Sequence, residues 1–291
     1  MRITRIPRTT LALLALLALP VPLLAQPDPI AQGDAAWARR AEGHRGGQAA
    51  PGPVNEAIAA YERAVQSQPG RLEGAWKLLR ALHFKGEHVA RTREEKQKIF
   101  AQGRDAAEAA LDRLARKTGG RQRLDKMTPK EAAKALAGAP EAAALHLWAG
   151  VHWGLWGDAY GRMAAARQGV GDRVLRYSEV GIALDEAYDE GAGHRMLGRL
   201  HTLAPKVPFV TGWVDRDKAV SELRRAVALG PGNLLNHLYL AEALLEHHPE
   251  KAGEAREILR KLAARTPSPA RVVEDEKALA DARALLAKSK D

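Results

Sequence analysis

Beyond residue 26 the apolar positions recur at helical steps of three and four, and no segment alternates strictly enough to form a strand. The spacing predicts helices over Ile30 to Ala41, Val54 to Ser67, Leu72 to Phe84, Arg93 to Lys117, Pro129 to Ala137 and Glu141 to Arg167. It predicts six more over Asp172 to Asp189, Gly191 to Leu203, Arg216 to Leu229, Asn233 to His247, Lys251 to Ala264 and Val273 to Lys288. Several starts are marked by caps. Thr92 with Glu95, and Thr128 with Pro129 and Glu131, read as capping boxes; Asp215 and Ser268 read as N-caps. Gly119-Gly120 stops the helix that begins near Arg93, Gly43 to Pro53 is a loop, and Thr118 to Met127 is a charged connector.

One spaced pattern occurs three times: Ala, a large apolar residue four places on, an apolar residue three further, then Pro five beyond. It is Ala57, Tyr61, Ala64, Pro69; then Ala219, Leu223, Ala226, Pro231; then Ala255, Leu259, Leu262, Pro267. Steps of four and three keep the residues on one helical face. Ala permits a close crossing, the larger residue fills the layer between helices, and Pro forces the chain to turn. The last two copies lie 36 residues apart, near the roughly 34-residue period of tetratricopeptide repeats, whose second helix this pattern resembles. Leu240-Ala241 with Leu244, Leu197-Gly198, and Trp76 with Leu79 resemble the looser first-helix signature. The expected fold is therefore all-α, a tetratricopeptide-like solenoid of helical hairpins, with Val273 to Lys288 as a C-terminal capping helix. The connector suggests two groups of helices, residues 26–120 and 121–291.

Residues 1–25 break this pattern. Arg2, Arg5 and Arg8 precede the apolar run Leu11 to Ala25, which Pro20 and Pro22 interrupt. At about 1.5 Å per helical residue that run is too short for a bilayer core of roughly 30 Å. A basic start, a short apolar stretch and a small residue at Ala25 are the marks of a secretory signal peptide, expected to be cleaved before Gln26. No Cys follows to carry a lipid, so the expected product is a soluble exported protein, periplasmic or secreted, without a stable membrane span.

Composition narrows the chemistry. The 291 residues contain no Cys, which excludes disulfides, thiolate metal sites and Cys nucleophiles. Cleavage removes three Arg and no acid, lowering the formal charge from +10 to +7, with basic and acidic residues interspersed and no nucleic-acid-binding motif. None of the ten His has the i, i+4 spacing with a nearby Glu that a helical zinc site uses. There is no nucleophile elbow, phosphate loop or dinucleotide fingerprint, so neither a metal, a cofactor nor a catalytic residue is expected.

Three segments stand apart. In Glu141 to Arg167, Gly150, Gly154, Gly157 and Gly161 form one stripe, and Trp148, His152 and Trp156 another at i, i+4 and i+8. Three of the six Trp fall within nine residues. Such a stripe either packs a core or walls a site for an apolar or anionic ligand. In Leu203 to Val214 two prolines fix the backbone while Phe209 and Trp213 offer apolar surface. Mapped by the repeat pattern, Trp76, Arg80, His83, Arg195 and Arg199 face the concave side, a basic, aromatic-edged groove suited to a carboxylate or an acidic peptide.

The pieces HLWAGVHWGLWG, GAGHRMLGRL, PKVPFVTGW and DKAVSELRRAVALGPGNLLNHLYLAEALL, between Glu141 and His248, resemble the T component of tripartite ATP-independent periplasmic (TRAP) transporters. That resemblance implies a helical-repeat periplasmic protein, self-association around a ligand-permeable pore, a solute-binding protein as partner and an apolar organic acid as cargo. Members of that family often carry a lipidated Cys, which this chain lacks. The expected function is thus non-enzymatic binding and assembly beside such a transporter, with Trp148, His152, Trp156, Phe209 and Trp213 at the ligand or partner site. The alternative is a general envelope scaffold that holds peptides or outer-membrane assembly partners through Arg80, Arg195 and Arg199.

Overall fold

The computed structural model describes residues 27–207 and 211–289, and these contain fourteen α-helices and no strand. α1 (Pro29–Ala38) pairs with α2 (Pro51–Ser67), and α3 (Glu73–His88) with α4 (Arg93–Ala115). Two short helices follow, α5 (Arg121–Asp125) and α6 (Pro129–Leu136). α7 (Ala142–Tyr160) runs into the short α8 (Arg162–Arg167) and pairs with α9 (Val170–Leu184). α10 (Tyr188–Leu203) pairs with α11 (Arg216–Leu229), α12 (Leu234–His247) with α13 (Ala252–Ala263), and α14 (Val272–Lys288) ends the stack. The fold is all-α, a succession of packed helical hairpins consistent with a helical solenoid. The signal-peptide segment and Phe209 lie outside the described residues.

The repeated pattern explains the hairpins. All nine of its Ala, Tyr and Leu positions are buried, on α2, α11 and α13. In the first hairpin Gly33 lets the Tyr61 ring lie against α1, where a Cβ would be 2.3 Å from Tyr61 Cε1. In the fourth, Gly198 does the same for Leu223, with a Cβ 2.5 Å from Leu223 Cγ. Both glycines place the large residue of the second helix on the backbone of the first, which is why the pattern needs a small partner. Both capping boxes form, Thr92 with Glu95 and Thr128 with Glu131. Asp215 caps α11 through the amides of Asp217 and Lys218. Ser268 does not cap with its side chain; its own amide instead donates to Asp275 Oδ2 at 2.8 Å.

Two expectations change. The helix expected over Glu141 to Arg167 breaks at Gly161, whose φ of 93° closes α7 and starts α8 in a new direction. The connector Thr118 to Met127 contains α5 and is tied down: Arg121 donates to the Tyr177 hydroxyl at 2.7 Å, and Arg176 to the carbonyls of Leu124 and Met127. One apolar cluster runs through residue 120, joining Leu111 and Leu114 to Leu124, Leu145 and Val174.

The first helices touch one another in sequence, α1 to α3, α3 to α7, α7 to α10, α10 to α12 and α12 to α14, and form an inner layer. The second helices α2, α4, α9, α11 and α13 form the outer one. The last helix does more than cap. Val273 is fully buried among Ala36, Val54, Leu82 and Phe84 of the first two hairpins. Arg40 Nε donates to Glu274 at 3.1 Å and Arg40 also bonds the Ala270 carbonyl. At Gly47 a Cβ would lie 2.6 Å from Lys277 Cβ, so the α1–α2 loop rests on α14 directly. The end of the stack thus returns to its beginning, and the inner helices surround a space.

Candidate functional site

The inner helices α3 and α7 each expose mainly one stripe. On α3 it is Trp76, Arg80, His83 and Glu87, spaced four, three and four. On α7 it is Trp148, Val151, Gly154, Leu155 and Asp158, while the rest of the helix from Leu145 to Gly157 is buried. On α10 it includes Arg195 and Arg199, and on α12 Tyr239 and Glu242. Charges on different helices feel one another across the space. Asp158 senses Arg199 and Glu87; Tyr239 senses Arg199, Arg195 and Glu87; Lys277 senses Glu87 and Tyr239.

At one level lies an aromatic box. The Arg80 guanidinium sits 4.2 Å from the Trp37 ring centre and 5.1 Å from that of Trp76. Arg80 Nε is buried with no hydrogen-bond partner, and among the described residues no carboxylate lies within salt-bridge distance of the side chain. Asp34, the acid whose charge reaches it, is already engaged by Lys77 Nζ at 2.7 Å and the Tyr61 hydroxyl at 2.8 Å. Burial holds the Arg80 pKa below its ordinary value, with Tyr61 opposing and Arg40 adding to the shift. Trp148 lies 5.3 Å from His83, and its buried Nε1–H faces the Tyr188 hydroxyl. Burial drives His83 well below its ordinary pKa, so it stays neutral. The Tyr188 hydroxyl faces this group, its pKa pushed up to about 12 by burial and by Asp189. Each orphaned buried donor costs about 1–3 kcal/mol, and cation–π contacts worth about 0.5–2 kcal/mol do not replace an acceptor. The Arg80 Nε–H on this inner face is thus short of an oxygen acceptor.

The other inner arginines are satisfied. Arg195 donates to Asn236 Oδ1 at 2.9 Å and Asp189 Oδ2 at 3.0 Å. Arg199 pairs with Glu242 and lies 4.3 Å over the Tyr239 ring. Both lie on α10, and their charge is neutralised there by Asp189 and Glu242. Asp158 is in the opposite condition to Arg80: it has no hydrogen bond or ion pair among the described residues, and burial raises its pKa.

The aromatic stripe divides. Trp148 faces the enclosed space, but His152 and Trp156 lie in the core. His152 Nε2 donates to the Leu79 carbonyl at 2.9 Å and its ring fills the space over Gly103, where a Cβ would come within 2.1 Å. Trp156 packs against Trp153, Tyr160 and Arg104. Trp213 lies elsewhere: it meets His201 edge-on at 5.6 Å and donates to Asp172 Oδ1 at 3.0 Å, fastening the loop after α10 to the start of α9. The glycine stripe has mixed causes. Gly150 admits Met196 of α10 and Gly157 admits Val170, whereas Gly154 has nothing within 4 Å of a Cβ and keeps the inner face open.

Trp37, Tyr188, Asp158 and Tyr239 join the inner face unannounced by motif. The α7 signal was available as the step from Trp148 through Val151 and Leu155 to Asp158, which the aromatic stripe obscured. Outside this space, a hollow of about 800 Å³ bounded by Arg123, Lys126 and Lys134 is open to solvent. Another of about 660 Å³ lies between α6 and α9 and has Tyr188 on its rim. Among the described residues no helix is long and apolar enough to cross a membrane, and no group of three His, Asp or Glu could hold a metal ion. No protein-family model and no curated protein matches the chain.

Proposed function

We propose that this protein is an exported, non-catalytic binding module whose inner face receives a carboxylate ligand, and that it works beside a transporter of the TRAP type with a solute-binding protein as partner. The observation that carries this reading is Arg80, whose Nε is buried without an acceptor while its guanidinium lies against the Trp37 and Trp76 rings. A guanidinium offers a carboxylate two parallel hydrogen bonds, and the aromatic walls suit an apolar body behind it. The expected export signal and the resemblance of Glu141 to His248 support the compartment and the partner in this reading. An envelope scaffold acting through Arg80, Arg195 and Arg199 is less favoured, because Asp189 and Glu242 already neutralise two of the three.

The test is native mass spectrometry of protein purified from its own envelope fraction, together with capture of partners from that fraction. The expected result is a retained organic carboxylate that is lost in Arg80→Gln, and recovery of a solute-binding protein. A protein that carries no anion, titrates with none, and captures no solute-binding protein overturns the reading.

A further inference from the structure

The inner face carries two unpaired groups of opposite sign, the buried Arg80 Nε and the exposed Asp158 carboxylate. At the first level Arg80 Nε is buried without an acceptor, beside a Trp148 Nε1–H that faces the Tyr188 hydroxyl. Asp158, ten residues further along α7, supplies a carboxylate without a hydrogen bond or ion pair at the second. Its neighbours there are spoken for: Arg199 is held by Glu242, and Glu87 by Lys96 at 3.4 Å. Between the two levels the wall of α7 carries Gly154, with open space where a side chain would stand. Ten helical residues separate the ends by about 15 Å.

We infer that the ligand of this space is a linear zwitterion, its carboxylate on Arg80, beside Trp148, and its ammonium on Asp158. This rests on the enclosed face being the ligand site. An extended chain advances about 3.3–3.6 Å per residue, so a span of roughly 15 Å corresponds to a peptide of four or five residues with both ends free. A long-chain ω-amino acid presents the same two groups. Gly154 leaves room for the middle of the ligand to lie against α7. Burial raises the Asp158 pKa although Arg199 opposes the shift, and an ammonium beside the carboxylate would lower it again.

Calorimetric titration of the full chain with oligoalanines of two to seven residues tests this. Each length is used with free ends, N-acetylated, and C-amidated, beside 12-aminododecanoate and dodecanoate. The proteins are wild type, Asp158→Asn, Arg80→Gln and Arg80→Lys, each checked for an unchanged far-ultraviolet spectrum. The expected result is tightest binding at four or five residues, weakened about tenfold by N-acetylation and by Asp158→Asn. In Asp158→Asn the free and acetylated peptides should bind alike, because the ammonium has lost its partner. Preference for 12-aminododecanoate over dodecanoate, with peptides weak, keeps the zwitterion and assigns it a flexible body. Equal binding of free and acetylated ligands to the wild type overturns the zwitterion but leaves the carboxylate site standing. Binding indifferent to Arg80→Gln, or absent for every carboxylate, removes the carboxylate site itself and the inference with it.

Discussion

His152 sits where a ligand wall and a packed core make different demands, and pH separates them. Its ring is fully buried, Nε2 donates to the Leu79 carbonyl, and burial lowers its pKa to about 4. His146 is buried as well, donates through Nδ1 to Ala142, and also titrates at about 4. An unfolded His titrates near 6.5. Between those values the unfolded chain binds more protons than the folded one, so stability rises with pH and is lost as pH falls through this window. From pH 7 to pH 5 each ring removes about 2 kcal/mol, or about 4 kcal/mol for the pair. Urea denaturation followed by circular dichroism at the two pH values measures this difference. His152→Leu should lower stability at pH 7, since it removes the side-chain bond that ties α7 to the Leu79 carbonyl, yet flatten the pH dependence by about 2 kcal/mol. An unchanged pH dependence in that variant would mean that His152 titrates as an exposed ring, and the core assignment would fall.

Three further outcomes follow from the packing. Gly198→Ala forces a Cβ to 2.5 Å from Leu223 Cγ and should destabilise by about 1–2 kcal/mol despite the better helix former, whereas Gly154→Ala, which meets nothing within 4 Å, should stabilise by about 0.5–1 kcal/mol; thermal melts compare them directly. Asp189 lies in the left-handed region with φ 47°, so Asp189→Val should lower stability by about 1–2 kcal/mol and Asp189→Gly by less. A double-mutant cycle on Arg40→Ala and Glu274→Ala should give a coupling of about 0.5–2 kcal/mol, and a value of zero would mean that α14 does not rest on the first hairpin.

The sequence made the hairpins legible because their cause is local. The Ala, Tyr and Leu of the repeated pattern are one helical face, and a helix with one buried face shows it in its spacing. The caps at Thr92 and Thr128 are equally local. The inner face is not. α7 touches α3, α4, α9 and α10, so apolar residues occupy most of its circumference and spacing alone does not choose a side. Positions i and i+8 diverge by about 80° around a helix, enough to put Trp148 on the enclosed space and Trp156 under α4 and α9. Arg195 and Arg199 both lie on α10, but their partners Asn236 and Glu242 come from 41 and 43 residues away. Whether an arginine is free or paired depends on that tertiary neighbour, and so does the difference between Arg80 and the other two. The return of α14 to the first hairpin likewise joins residues more than 200 apart, Arg40 to Glu274, for which no local pattern exists.

The central claim is that Arg80, held between Trp37 and Trp76 without an acid, anchors a carboxylate inside the ring of helices. Titration of the indole emission with an amphipathic monocarboxylate tests it most directly, in wild type and in Arg80→Gln. The account predicts a saturable change in the wild type, weakened about tenfold or more in Arg80→Gln, with the matched amide inert in both. An amide that binds as well as the acid, or an Arg80→Gln variant that binds as tightly as the wild type, would contradict it.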